Sequence, residues 1–242
     1  MQRKREEIKR FFVNQALGKD FILQGIEHNH LANVLRLQVG EEIVVCNGDE
    51  FDYVFEISNI TKQGTTLIFL SKVINDKNPK SNVTVFLATI KHESLSLAVE
   101  KLNEIGATEI VLFNSARCNV PIKSVKLDKL KTIAEQSCKQ CERSMPVKIR
   151  VGKLSDLDKF DFVVFADETQ NRKILCSLSD IPHNVKNVAI VIGPEGGFTN
   201  AERDALCAMP SVRAVSLGSR ILRAETAAIA ATTLVMARLG EM

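Results

Sequence analysis

Two segments toward the C-terminal end carry residue types that can do chemistry. They are Val191-Ile192-Gly193-Pro194-Glu195-Gly196-Gly197-Phe198 and Leu217-Gly218-Ser219-Arg220-Ile221-Leu222-Arg223-Ala224-Glu225-Thr226. Each closes an apolar, strand-like run with a glycine-bearing turn and then opens a helix. Glycine lets backbone N–H and C=O groups come close to a ligand, because it has no Cβ to hold the ligand away. The second segment adds two guanidiniums, Arg220 and Arg223, and the carboxylate of Glu225. Arginines beside a small-ligand pocket suit a phosphate-bearing substrate, and a carboxylate can take or relay a proton. Glu225 also has a plainer reading, since the helix dipole favours an acid in a first turn. Neither segment has the Lys-Ser/Thr of a phosphate loop or the spacing of a dinucleotide fingerprint, so a triphosphate or dinucleotide is not expected.

Such loops need strands to end on and helices to lead into. The run Val188–Ile192 precedes the first segment, and Thr199-Asn200-Ala201-Glu202 matches the capping box that starts a helix. A long Ala- and Thr-rich helix, Ala224–Arg238, follows the second. Its small residues Ala224, Ala227, Ala228, Ala231 and Thr232 allow another backbone to pack closely. Apolar runs of buried-strand type recur at Val83–Ile90, Glu109–Phe113 and Phe162–Ala166. Helices are expected at Leu95–Ile105, stopped by Gly106, and at Leu127–Cys141. Alternation of buried strands with helices implies an α/β layer with a parallel sheet, in which ligands sit beyond the carboxyl ends of the strands.

The first 73 residues read differently. Glu42–Cys46 and Phe51–Ile57 flank Asn47-Gly48-Asp49, a hairpin signal, and Thr65–Leu70 is a third strand. His30–Leu37 reads as a short helix whose apolar residues are Leu31, Val34 and Leu35. These features suggest a small β-barrel, joined to the rest by the polar stretch Asn75–Asn82.

Composition sets the limits. The 242 residues are 45% hydrophobic and 25% charged, as in an ordinary globular chain. No run is long and apolar enough for a transmembrane helix, and Met1–Glu7 lacks the apolar core of a secretion signal. Six cysteines without framework spacing fit reduced thiols, so a cytoplasmic location is expected. Cys138-x-x-Cys141 has no second such pair, and His28, His30, His92 and His183 are scattered, so no metal is expected. Net charge is only +3, yet residues 74–150 hold 13 basic and 8 acidic side chains. That local excess suits a polyanion such as RNA. Equally, Lys123, Lys126, Lys129 and Lys131 can simply solvate a helix face. With no Trp and one Tyr, recognition by base stacking is not obvious.

Gly193-Pro194-Glu195-Gly196-Gly197-Phe198 followed by Leu217-Gly218-x-Arg220-Ile221-Leu222-Arg223-x-Glu225-Thr226-Ala227 resembles the ribosomal RNA small-subunit methyltransferase E family of the SPOUT class. The resemblance continues through Arg10-Phe11-Phe12-Val13, His30-Leu31, Val34–Leu37, Val39-Gly40, Lys91, Lys101, Glu104–Gly106 and Arg117-Cys118. It implies an α/β fold whose C-terminal domain, 74–242, has a parallel sheet and a trefoil knot, preceded by a PUA-like RNA-binding β-barrel at 1–73. It further implies a homodimer that transfers methyl from S-adenosylmethionine to N3 of a uridine in 16S ribosomal RNA. The alternatives are an assembly factor that keeps the fold without the activity, and a SPOUT enzyme acting on another RNA such as tRNA.

Position by position, the resemblance implies that Phe165, Ala166, Ile192, Gly193, Glu195, Gly196, Gly197, Leu217, Gly218, Ile221, Leu222 and Arg223 hold the cofactor. Arg223, Glu225 and Glu195 are the candidate catalytic residues. Arg10, Arg36, Lys91, Arg117, Gln140, Arg143 and Arg220 are the candidate RNA contacts. The chain departs from the family pattern at Lys139, where Glu is expected beside Gln140 and Arg143, in the early proline of Met145-Pro146-Val147, and in its longer start. Lys139 is thereby an added attraction for phosphate.

Overall fold

A computed structural model describes residues 8–167, 181–182 and 185–242. The chain divides into two compact units, Met1–Asn78 with Cys138–Met145, and Pro79–Ser137 with Pro146–Met242.

The first unit is built on strands β1 (Arg10–Phe12), β2 (Phe21–Leu23), β3 (Glu42–Cys46), β4 (Phe51–Ile60) and β5 (Thr65–Ile74), ordered β1-β3-β4-β5-β2. Register shifts at Val54/Phe55 and Ile57/Asn59 curl the long β4–β5 pair. Phe11, Leu31, Ile43, Phe55, Ile57 and Leu67 fill its core. The Asn47–Asp49 hairpin forms as expected, with Gly48 at φ 88°. The helix expected at His30–Leu37 takes another form. A short helix α1 (Gly25–Asn29) runs into a π-helical turn at His30–Val34, closed by Leu35 N–H to His30 C=O at 2.9 Å. The wider turn shifts the side-chain phase, so Leu31 is buried while Val34 is 63% exposed. The expected linker is also more ordered than its polarity suggests. Asn75 is buried; its Nδ2 donates to Asp52 Oδ1 and Glu142 C=O, both at 2.8 Å, and its Oδ1 accepts from the N–H groups of Lys77 and Asn78.

The second unit is a six-stranded sheet of β6 (Asn82–Ala88), β7 (Glu109–Phe113), β8 (Lys148–Val151), β9 (Phe162–Ala166), β10 (Asn187–Ile192) and β11 (Val212–Val215). The order is β11-β9-β10-β6-β7-β8, and every pair is parallel. Helices α2 (His92–Ile105), α3 (Leu127–Cys141), α4 (Asn200–Cys207) and α5 (Ala224–Arg238) connect and cover it. Both faces are buried: Val83, Val85 and Leu87 point into one core, Phe86 and Ala88 into the other. This is why these strands read as unbroken apolar runs. Ala224, Ala228 and Ala231 of α5 lie in the same core as Ala98, Val99 and Leu102 of α2. The small-residue stripe, read from sequence as allowing another backbone to pack closely, is therefore used largely within the chain itself.

From β6 the chain steps outward through β7 to β8, then crosses to β9, β10 and β11 on the other side. The strand order reverses beside β10. Because the sheet is parallel, Ala88, Phe113, Ala166, Ile192 and Val215 all end at one edge, where such folds bind ligands.

Candidate functional site

The loop after β10 is held by its own protein. A Cβ built on Gly193 would lie 2.7 Å from the Phe198 ring, so glycine there makes room for an aromatic side chain. Phe198 is buried, edge-to-face with Phe165 at 5.1 Å and stacked on Phe113 at 6.4 Å. Phe165 is fully buried in that core, and Ala166, half-buried, packs toward the opposite one. Gly197 takes φ 67° in a turn closed by Pro194 C=O. A Cβ on Gly196 would come within 3.0 Å of the Arg117 backbone oxygen, and Arg117 Nη1 donates to Gly196 C=O at 3.3 Å. Glu195 is exposed; its Oε1 accepts from the Lys91 N–H at 3.4 Å.

The first turn of α4 ties three strand ends together. Thr199 and Glu202 form the expected capping box. Glu202 Oε2 accepts from the Thr199 N–H and hydroxyl, while Oε1 accepts from Ser115 Oγ and the Ala116 N–H on the loop after β7. Burial pushes this carboxyl up, but the backbone N–H groups of Ala116 and Thr199, with the two hydroxyls, outweigh it and hold the pKa down at about 2. Arg203 Nε pairs with the buried Asp167 at 3.1 Å, just past the end of β9. The sequence offered the capping box but no signal for these longer-range bonds.

The loop after β11 has a different character. Ser216 Oγ donates to Gly218 C=O, and Gly218 sits at φ 120° with nothing within 4 Å of where a Cβ would point. Leu217 and Leu222 are half-buried, Arg220 and Arg223 exposed, and Ile221 is 90% exposed. Arg223 is the N-cap of α5 and makes no side-chain cap bond. Glu225, in the first turn of α5, is only 8% exposed, and it forms no side-chain hydrogen bond or ion pair among the described residues.

The residues expected to contact RNA divide sharply. Lys91, Arg117 and Arg220 are exposed around the strand ends, and Arg36 and Gln140 are exposed in the first unit. Arg36 has φ 55°, a backbone turn that follows the π-helix. Arg10 is not available. It is buried and held by Asp52, with Nη2 to Oδ2 at 3.0 Å and a further contact to Cys46 Sγ. Burial alone would lower its pKa, but the hydrogen bond to Asp52 raises it overall. Arg143 is also withdrawn, 3% exposed, and burial lowers its pKa. Lys139 is no added phosphate attractor either. Its Nζ pairs with Glu27 at 2.7 and 2.9 Å and lies 5.7 Å from the Phe11 ring centroid. Lys123, Lys126, Lys129 and Lys131 are all exposed, but only Lys129 and Lys131 lie on α3, the other two preceding it.

Cys138 is buried against Phe12, Val44 and Cys46. Among the described residues no group of three or more His, Cys, Asp or Glu is placed to hold a metal, and no helix is long and apolar enough to cross a membrane. His183 lies outside the described residues. A cavity of about 350 Å³ lies against α4, lined by Leu154, Asp158, Glu202 and Met209 among others, none from either glycine segment.

Comparison with known proteins agrees with this geometry. An RNA methyltransferase domain model matches residues 76–236, and an RNA methyltransferase PUA domain model matches residues 24–70. Ribosomal RNA small subunit methyltransferase E of Mesomycoplasma hyopneumoniae is 31% identical over 228 residues, covering 91% of this chain and 95% of its own. The chain belongs to this family of RNA methyltransferases. The protein of the same name from Rickettsia conorii is 29% identical, with 92% of each chain covered. A crystal structure of ribosomal RNA small subunit methyltransferase E from Neisseria gonorrhoeae, bound to S-adenosyl methionine, superposes with a TM-score of 0.82. That protein is 27% identical, and the match covers 95% of this chain and 97% of the other.

Proposed function

We propose that this chain transfers a methyl group from S-adenosylmethionine to N3 of a uridine in 16S ribosomal RNA of the small subunit. The observation that carries this reading is the loop Leu217–Arg223. In a family whose neisserial member binds this cofactor, it leaves Gly218 facing unfilled space and Arg223 exposed beside the largely buried Glu225. The fit supports the cofactor: a left-handed glycine offers bare backbone on the open side of the site, where a Cβ would intrude. Backbone of Leu217, Gly218, Ile221 and Leu222 would hold it on one side, with Ile192 and the Gly193–Gly197 turn as the other wall. When bound, the cofactor supplies a sulfonium methyl whose transfer is already favourable.

The chain's task is then to orient the uracil in line and to manage the N3 proton. Uracil N3–H is a weak acid, so a base near it and a cation for the developing negative charge lower the barrier. Glu225 is favoured over Glu195 as that base, because Glu195 is exposed and faces the Lys91 N–H while Glu225 is sheltered from water. Arg223, exposed at the start of α5, would offset the charge. We further propose that residues 1–73 form the PUA-like RNA-binding domain and 74–242 the SPOUT domain, that this C-terminal domain carries a trefoil knot, and that the enzyme works as a cytoplasmic homodimer.

The test is tritium transfer from labelled S-adenosylmethionine to 30S subunits lacking this modification. Label mapping to N3-methyluridine in small-subunit RNA is the expected result. Cofactor binding without transfer would redirect the search to another RNA. Neither binding nor transfer would favour an assembly factor that keeps only the fold.

A further inference from the structure

Glu202 does more than cap a helix. A capping box uses one carboxylate oxygen, and here Oε2 fills that role with the Thr199 N–H and hydroxyl, each at 2.8 Å. The other oxygen reaches 87 residues back in sequence to Ser115 Oγ at 2.8 Å, and also takes the Ala116 N–H at 2.9 Å. A carboxylate has about four acceptor positions, so all are occupied. The loop it grips is itself a closed turn, with Cys118 N–H on Ser115 C=O and Ser115 N–H on Cys118 Sγ. Ser115 is buried, and Arg117, two residues on, is exposed. Gly196 completes the arrangement, since a Cβ there would stand 3.0 Å from both the Arg117 carbonyl oxygen and its Cβ, a tight contact that glycine avoids.

We propose that Glu202 is a positioning residue for the acceptor RNA: through Ser115 and Ala116 it sets Arg117 against Gly196, and Arg117 so fixed takes one phosphate of the RNA. This rests on the methyltransferase reading above. A guanidinium carries five N–H donors in a rigid fork. The hydrogen bond to Gly196 C=O leaves the others exposed, and Arg117 forms no ion pair among the described residues. A single loose arginine would lose its gain to side-chain entropy. Anchoring the two residues before it, Ser115 and Ala116, and one of its own N–H groups removes most of that cost.

The experiment measures KM for 30S subunits, kcat, cofactor Kd by calorimetry, and the dependence of subunit binding on salt, for the wild type and for Arg117→Ala, Ser115→Ala and Glu202→Gln. Arg117→Ala should raise KM for the subunit roughly tenfold and reduce the salt slope by about one, with cofactor Kd little changed. Ser115→Ala leaves the capping box intact and should move KM and slope in the same direction; Glu202→Gln should do so more strongly. Either change should add little on top of Arg117→Ala. The proposal is overturned if Ser115→Ala and Glu202→Gln leave the salt slope at the wild-type value, if their losses multiply with that of Arg117→Ala, or if the loss falls on cofactor Kd. Wild-type protein that binds subunits but transfers no methyl would sink the methyltransferase reading alone, because the salt slopes remain measurable.

Discussion

At Gly193 an added Cβ would press on the Phe198 ring from 2.7 Å, whereas at Gly218 it would meet nothing within 4 Å. Both glycines follow a buried strand of the same parallel sheet, and in the sequence both suggest close approach to a ligand. The first serves the interior: it admits Phe198 to an aromatic cluster with Phe113 and Phe165. The second serves the outside, leaving bare backbone on an open loop between half-buried Leu217 and fully exposed Ile221. A glycine motif thus marks backbone that something approaches closely, without saying whether that something is ligand or protein.

Five variants would break or sharpen that contrast. The largest effect is expected at the open loop, where Arg223→Ala should lower kcat about 10²- to 10³-fold while cofactor Kd and melting temperature stay close to wild type. Equal losses in kcat and cofactor affinity would remove its charge-stabilising role. Next, Gly193→Ala should destabilise the fold by about 1–3 kcal/mol through overpacking against Phe198, seen as a lower midpoint in urea. Gly218→Ala should cost about 1–2 kcal/mol from its φ alone, but should weaken cofactor binding disproportionately. If the two glycine variants lost stability and affinity in the same ratio, the distinction between the loops would be wrong.

A smaller effect, confined to acid, belongs to the Glu202 clamp. Its folded pKa of about 2 lies below the ordinary 4.5, so its stabilisation is complete above about pH 4.5 and is lost as pH falls toward 2. Thermal melts from pH 6 to 2 should therefore show a steeper acid loss in the wild type than in Glu202→Gln; identical profiles would contradict the clamp. Smallest of all, Ile221→Ala should change stability by less than about 0.5 kcal/mol, because its side chain is almost wholly in solvent.

The same lesson holds for charge. Arg10, Arg143 and Lys139 were legible as basic residues at family positions, and each turns out to be buried or paired within the first unit. Lys91, Arg117, Arg220 and Arg223 remain exposed around the strand ends. Nothing in the sequence near Arg10 points to Asp52, 42 residues away, and nothing near Lys139 points to Glu27, 112 residues away.

By itself the sequence determined what local physics controls. Apolar runs without alternation specified strands buried on both faces, so β7 and β9 lie where the pattern puts them, as do helices α3 and α5. The Thr199–Glu202 spacing specified a helix start, and Gly106 a left-handed helix stop. The short strands β8 and β11 are set by partners elsewhere in the sheet, and the segment after α1 takes a π-turn in place of the plain helix expected there. Tertiary structure alone decided which glycine is filled and which is open, which arginine is spent and which is offered, and that Glu202 reaches the loop bearing Arg117. The physical reason is common to all three: each depends on a partner distant in sequence, and only folding sets that distance.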